Sequence, residues 1–546
     1  MLDRTLLAAL ALSASAQSAD MVLTNGKILT VDKDFSRAQA LAVDNGRIVA
    51  IGSNEEVQEH ITPSTQVTNL AGKTVIPGLI DNHMHLVRAS KNWAQQVRLE
   101  GVTSYQEALE RIAQAAQRAP KGQWLFASGG FVERQFEGRP RAGFLREDLD
   151  KVAPNNPLYM QHLFDWGYAN SAALKQIDID PSSPPNMAGL LLNNQGLPLG
   201  PVTKRAQWLL EQEAAKQISI AHIEQTRAAL DDLARAGLTT VVDAGGFDTT
   251  DALYKPFTQL AEEKALPIRV FYMKQVIPWG SDSRTPDLSR LDKVPFNQGH
   301  DFFRPVAVGE QLMLPVQDSA ANPAQSSPQV REAFLTYAQN LAKRGIPLHL
   351  HAVNDQSINQ HLDAFEIINQ TTPLAPLRWT LAHVDGIEPA TIDRAQSLGI
   401  NFAIHSRPVL IGYRFQSSFG NAAKQMTPMK TLTDKGALWG LGSDSPVVSI
   451  YNPFRTLWWA VNGQMVDGTQ VSEQVVDRKQ ALIAHTINNA KLSFMEDELG
   501  SLEVGKRADL LVLDQDYLAV PSQRIAQIKP IGTLVEGRWA YKQGDF

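Results

Sequence analysis

The sequence contains no cysteine. Disulfides, thiolate metal ligands and cysteine nucleophiles are therefore excluded, and any bound metal must be held by His, Asp, Glu or a modified Lys. Charge is also sparse: Lys, Arg, Asp and Glu make up 20% of the 546 residues, and the net charge is −6. A phosphate backbone wants a basic face, so no nucleic-acid partner is expected. No five like charges follow one another anywhere in the sequence. Long apolar runs are missing too. A bilayer span needs about 20 apolar residues, and every apolar stretch here is shorter, so no membrane span is expected.

What is present is a globular composition, 43% hydrophobic, with enough apolar content for a large core and a length suggesting more than one domain. The N-terminus reads MLDRTLLAALALSASAQSAD. Arg4 precedes a short apolar stretch, and Ala14-Ser15-Ala16 has the small-x-small pattern of a cleavage site. This reads as a signal peptide over residues 1–19, with export to the periplasm or beyond.

From residue 20 the pattern has period two. MVLTNGKILTVD and ALAVDNGRIVAIG each place Asn-Gly between alternating apolar residues, the signature of a β-hairpin. The C-terminal RADLLVLDQD and GTLVEGRWAYKQ have the same texture, with a turn at Glu536-Gly537. Neither end has enough strands to bury a core alone. One small β domain is therefore expected from residues 20–75 and 500–546 together.

Residues 76–499 alternate short apolar strands with amphipathic helices. The candidate strands include TVIPGLID, WLFASG, PLYMQH, LTTVVDAG, PLHLHA, RWTLAH, NFAIHS and ALWGLGSD. Helical patterns such as HIEQTRAALDDLARAG end in Gly, the usual stop. This alternation implies a parallel sheet, and its length suits an α/β (β/α)₈ (TIM) barrel with insertions. The Pro-rich, irregular stretch from about 130 to 220 is expected to be an insertion over the barrel mouth.

The segment GLIDNHMHLV carries the first chemical signal. Residues i and i+2 of a strand point to the same side, so His83 and His85 present two imidazoles together. The C-terminal end of a barrel strand is where barrel active sites are built, and paired neutral imidazoles chelate a divalent cation. His349, His351, His383 and His405 also fall at ends of expected strands, and Asp444 closes ALWGLGSD. In a barrel such positions converge on one mouth.

These residues, with the motifs PGLIDNHMH, HLHAVND, TLAHVDG, LGSDSP and GSLEVGKRADLLVLD, resemble the amidohydrolase superfamily, and within it the branch that includes N-substituted formamide deformylases. The resemblance covers nearly all of the chain after the leader. It implies a (β/α)₈ barrel with a β-sandwich made from both termini. It also implies that His83, His85 and Asp444 hold one metal ion, that His351 and His383 hold a second, and that His349 is a hydrogen-bonded residue of the barrel interior. Many relatives bridge two metals with a carboxylated Lys on the fourth strand. Here that segment reads VAVGEQLMLPVQDS, with Glu310 where the Lys is expected and Lys274 as the alternative bridge. In QHLFDWGYANSAAL, Asp165 and Trp166 stand where relatives often have a His, which suggests contact with substrate. His405 and Arg407, in FAIHSRPVL, are further candidates for substrate contact.

The function this implies is metal-dependent hydrolysis of an amide-type C–N bond in a small-molecule substrate. One or two divalent ions, zinc being the expectation, would activate water, with Asp444 as general acid–base. The alternatives are an esterase, lactonase or carbamate hydrolase on the same scaffold, or an exported binding relative without catalysis. Oligomeric state is left open, with a homo-oligomer among the compatible forms.

Overall fold

A computed structural model describes residues 18–544 except 219–221, 248, 280–284 and 326. The expected signal peptide lies outside the described residues, apart from Ser18 and Ala19. Among the described residues, no helix is long and apolar enough to cross a membrane.

Eight parallel strands in sequential order form the central sheet. They are β1 (Leu79–Met84), β2 (Leu238–Asp243), β3 (Arg269–Lys274), β4 (Phe303–Glu310), β5 (Leu348–Ala352), β6 (Thr380–His383), β7 (Asn401–His405) and β8 (Trp439–Gly442). β1 and β2 are buried at every position, as expected of a parallel sheet. The helix Ile223–Ala236 stops at Gly237, whose φ of +99° is accessible to glycine, and the chain enters β2 directly.

The barrel closes between β8 and β1. The Asp444 N–H donates to the His83 carbonyl (2.8 Å) and the His85 N–H to the Ser445 carbonyl (2.9 Å). Below them, the Asp81 carboxylate accepts from the Ser443 N–H (3.0 Å) and hydroxyl (2.5 Å). The Asn489 amide donates to the carbonyls of Ile80 (2.5 Å) and Leu441 (2.7 Å), one from each strand. This seam is why β8 reads WGLG. A Cβ on Gly440 would lie 2.0 Å from Asn489 Oδ1, and one on Gly442 would lie 2.4 Å from Asn82 Oδ1.

The expected strand TVIPGLID divides at Gly78. Thr74–Pro77 pairs with Leu510–Leu513 in a terminal sheet, while Leu79 onward is β1. Of the expected hairpins, ALAVDNGRIVAIG has Asn45 and Gly46 both at positive φ and pairs Ala40–Asp44 with Arg47–Gly52. Glu536-Gly537 makes the same turn between Pro530–Val535 and Arg538–Lys542. MVLTNGKILTVD does not form a hairpin. Of Asn25 and Gly26 only Asn25 is at positive φ, and Met21–Thr24 and Lys27–Leu29 belong to different sheets. These two sheets, of four and six strands, face each other across one core that includes Leu23, Leu41, Val75, Leu510 and Leu534.

WLFASG and PLYMQH are strands but not barrel strands. Leu125–Ser128 and Leu158–His162 belong to a separate five-stranded sheet inserted between β1 and β2. The two pair in parallel with the helix Arg146–Val152 between them, so the unit imitates a barrel repeat in sequence. The excursion therefore begins before residue 130. It rests on the barrel mouth, where the Gly130 N–H donates to the Val447 carbonyl (3.3 Å) and Arg134 pairs with Asp467 (2.9 Å).

Gly442→Ala should cost about 1–3 kcal/mol through overpacking of the seam. A lowered midpoint in thermal unfolding checks this, and an unchanged midpoint would mean that the seam yields to the extra methyl group.

Candidate metal centre

Glu310 ends β4 and lies among imidazoles from three other strands. Its Oε2 is 3.5 Å from His83 Nε2, 3.4 Å from His351 Nδ1 and 3.4 Å from His383 Nε2, and its Oε1 is 3.9 Å from His85 Nε2. Asp444 joins them, with Oδ1 3.0 Å from His85 Nε2 and 3.7 Å from His83 Nε2. Its Oδ2 is 3.7 Å from His383 Nδ1. The cluster is almost wholly buried: His83 is 0%, Glu310 6% and Asp444 5% exposed.

Each imidazole turns one nitrogen toward Glu310 and has its other nitrogen engaged elsewhere. His85 Nδ1 is 2.9 Å from the Gly245 carbonyl, which fixes the proton on Nδ1 and leaves Nε2 as an electron-pair donor. His351 Nε2 lies 3.0 Å from the Asp318 carbonyl and 3.2 Å from its carboxylate, which frees Nδ1. His83 Nδ1 meets His349 Nε2 at 3.0 Å. His383 Nδ1 meets His405 Nδ1 at 2.7 Å, and His405 Nε2 meets Asn82 Oδ1 at 3.2 Å. His383 (φ +76°) and Asp444 (φ +62°) both hold left-handed backbone conformations. Such strain persists where the surroundings demand it, and it concentrates at functional sites.

The electrostatics follow from burial. Desolvation, with the positive charges around them, pushes His83, His383 and His405 well below the usual histidine range. Burial also lowers His349, to about 4. Burial opposes charge on His85 and His351 as well, but there it is outweighed. Asp444 and Glu310 raise His85, and Asp318 and Glu310 raise His351 to about 10. Burial would push the Glu310 carboxyl up, yet the His351 hydrogen bond and the charge of His85 hold it low. Protons thus collect where imidazole and carboxylate meet, which is where a cation would compete for the same electron pairs.

The donors fit a divalent metal. His83 Nε2 is buried without a hydrogen-bond partner although it faces two carboxylates. Among the described residues, donor atoms of four overlapping trios lie within 4.8 Å of one another: His83, His85 and Glu310; His83, His383 and Asp444; Glu310, His351 and His383; and His83, His349 and His405. Neutral imidazole and carboxylate are ligands of borderline divalent ions.

The expected site residues do not all gather here. Lys274 is engaged with Asp251 (2.7 Å), so Glu310 rather than Lys274 stands among the imidazoles. Arg407 is at the edge, its buried Nε 3.7 Å from Asp444 Oδ2 and its other end on Asp385. His405, 1% exposed, packs on His383 and so supports a ring of the cluster rather than meeting solvent. Asp165 pairs with Arg414, and Trp166 stacks on His162 (4.0 Å) while its N–H donates to Glu133 (3.0 Å). A cavity of about 450 Å³ opens beside His85, walled by Phe126, Tyr159 and Gln161 of the inserted sheet, and neither Asp165 nor Trp166 lines it. Sequence reading missed Asp318, Asp81 and Asn82. The Asp and Asn of GLIDNHMH were the available signal, since a polar pair inside an apolar strand needs partners.

Comparison with known proteins places these features in context. The model of the family described as "Amidohydrolase family" matches residues 66–541. The chain is 28% identical to N-substituted formamide deformylase of Arthrobacter pascens, covering 96% of this chain and 99% of that protein. It is 29% identical to Protein LONG AFTER FAR-RED 3 of Arabidopsis thaliana, over 96% of this chain and 92% of that one. Among solved structures, an uncharacterized metal-dependent hydrolase from Pyrococcus horikoshii OT3 is similar in fold, with a TM-score of 0.63 and 20% identity over 92% of this chain and 99% of that chain.

Glu310→Ala should lower the metal content of the purified protein while its far-UV circular dichroism is kept. Unchanged metal content would remove Glu310 from the ligand set.

Proposed function

Since this chain belongs to the amidohydrolase family, we propose that it is a metal-dependent hydrolase that cleaves an amide-type C–N bond with water. The observation that carries this reading is the buried Glu310 carboxylate, 3.4–3.9 Å from four ring nitrogens and beside Asp444; His85 of the same cluster lines a cavity large enough for a small molecule. His83, His85 and Asp444 would hold one ion, His351 and His383 a second, with Glu310 between them. Zinc suits this set of imidazoles and carboxylates, which contains no thiolate. A bound divalent ion supplies acidified water near neutral pH and a positive pull on the scissile carbonyl oxygen.

The chain's own residues do the rest. Asp444 accepts a proton from the attacking water at a carboxylate oxygen and delivers it to the leaving nitrogen. Arg407, 3.7 Å from Asp444 Oδ2 and anchored by Asp385, steadies that carboxylate. Gly245 and Asp318 keep His85 and His351 in the tautomers whose free nitrogens face Glu310. The inserted sheet, through Phe126 and Tyr159, walls the cavity that His85 lines. The leader-like N-terminus adds export to this reading, and a signal peptide missing from the protein recovered outside the cytoplasm would support it.

Asp444→Asn keeps an oxygen donor but loses the proton acceptor. Turnover should fall by about 10²–10⁴-fold while most of the bound metal is retained. Turnover equal to that of the parent would remove the proton-transfer role. Matched amide and ester substrates test the bond type: preference for the ester would replace the amide reading with an esterase.

A further inference from the structure

Another cavity, of about 540 Å³, lies at the end of the barrel opposite the metal cluster, where the barrel meets the terminal sheets. Its wall comes from three parts of the chain. Lys264 stands just past the helix Lys255–Glu262, His300, Asp301 and Phe302 lead into β4, and Glu536 and Arg538 belong to the C-terminal turn and strand. The eight residues of β4 separate Phe302 from Glu310, roughly 25 Å along an extended strand.

The carboxylates of this wall are already engaged. Arg507 pairs with Asp301 (3.0 Å) and with Glu536, and it also holds Glu498 (2.8 Å). The cations are not. Among the described residues, neither Lys264 nor Arg538 forms an ion pair; Lys264 is exposed, and Arg538 lies 5.6 Å over the Phe302 ring. His300 Nδ1 accepts the Phe302 N–H (3.0 Å), so the neutral ring keeps its proton on Nε2 and offers a donor. The side chains left to meet a ligand are therefore an ammonium, a guanidinium and an imidazole N–H.

Positive charge continues behind the wall. Arg269, 0% exposed, pairs with Asp509 and lies 4.6 Å over the same Phe302 ring. Its Nε and Nη2 have no hydrogen-bond partner, and Nη2 comes no closer than 3.9 Å to Glu536. Arg304, 9% exposed, forms no ion pair among the described residues, and its Nε is unsatisfied. Burial holds Arg304 below the usual arginine range, with Asp301 opposing and the charges of Arg507 and Arg269 adding to the shift. Buried cations short of counter-charge are costly, and an anion in the adjoining cavity lowers that cost.

We propose that this cavity binds an oxyanion of the phosphate type, free or carried by a small molecule, with Lys264, Arg538 and the His300 N–H as its partners. Three donors from three chain segments suit the three outer oxygens of a phosphoryl group, and the guanidinium fork can meet two of them at once. The cavity is larger than bare phosphate needs, and Ala261, Leu266 and Phe302 give an apolar body a place to rest. The site stands independently of the hydrolase reading.

Calorimetric titration of the full-length, metal-loaded protein with inorganic phosphate and with phenyl phosphate, at physiological salt to screen loose surface attraction, tests it. The parent should bind at least one probe in the millimolar range or tighter. Arg538→Gln and Lys264→Met should each weaken that binding by about fivefold or more, the scale of losing a charge-assisted hydrogen bond, while Glu310→Ala leaves it in place. Tighter binding of phenyl phosphate would identify a phosphorylated small molecule as the ligand, and equal binding would identify free phosphate; both sustain the site. No binding of either probe by the parent would overturn it. Binding unchanged in both Arg538→Gln and Lys264→Met, or lost only in Glu310→Ala, would place the anion elsewhere and overturn it as well.

Discussion

The site depends on the closure of β8 onto β1. The hydrogen bond from the Asp444 N–H to the His83 carbonyl joins the two ends of the sheet, and the same two residues are facing members of the cluster. Without that closure, the His83–His85 pair and Asp444 would sit on opposite edges of an open sheet. Asp81, Asn82 and Asn489 bind the seam from inside, and Gly440 and Gly442 let them approach. The barrel end and the chemistry are therefore built by the same contacts.

A second constraint is orientation. A carboxylate buried among imidazoles is stable only if the imidazoles present electron pairs or protons in a defined pattern. Here the pattern is imposed from outside the cluster, by the Gly245 carbonyl on His85, by Asp318 on His351, and by His349 and His405 on His83 and His383. The rings are held before any cation arrives, so binding one costs little reorganisation.

Much of this was legible in the sequence. The strand–helix alternation and the polar residues closing apolar strands pointed to a barrel mouth, and His83, His85, Glu310, His351, His383 and Asp444 do converge. The paired strands Leu125–Ser128 and Leu158–His162 misled because a parallel pair with a helix between it has the same periodicity in any sheet. The Asn25-Gly26 turn misled because a type I′ hairpin requires positive φ at both positions, which only tertiary packing decides. Asp165 and Trp166 illustrate the limit for binding residues. Their types suit substrate contact, but Arg414 and Glu133 engage them instead, and such long-range partners leave no trace in local pattern.

The central claim is that these imidazoles and carboxylates hold a divalent cation on which the chemistry depends. Anomalous scattering from crystals of catalytically active protein, collected across transition-metal absorption edges, tests it most directly. The account predicts a peak about 2.0–2.2 Å from the Glu310 carboxylate and from imidazole nitrogens of the cluster. Active crystals with no anomalous peak among His83, His85, Glu310, His351, His383 and Asp444 would contradict it.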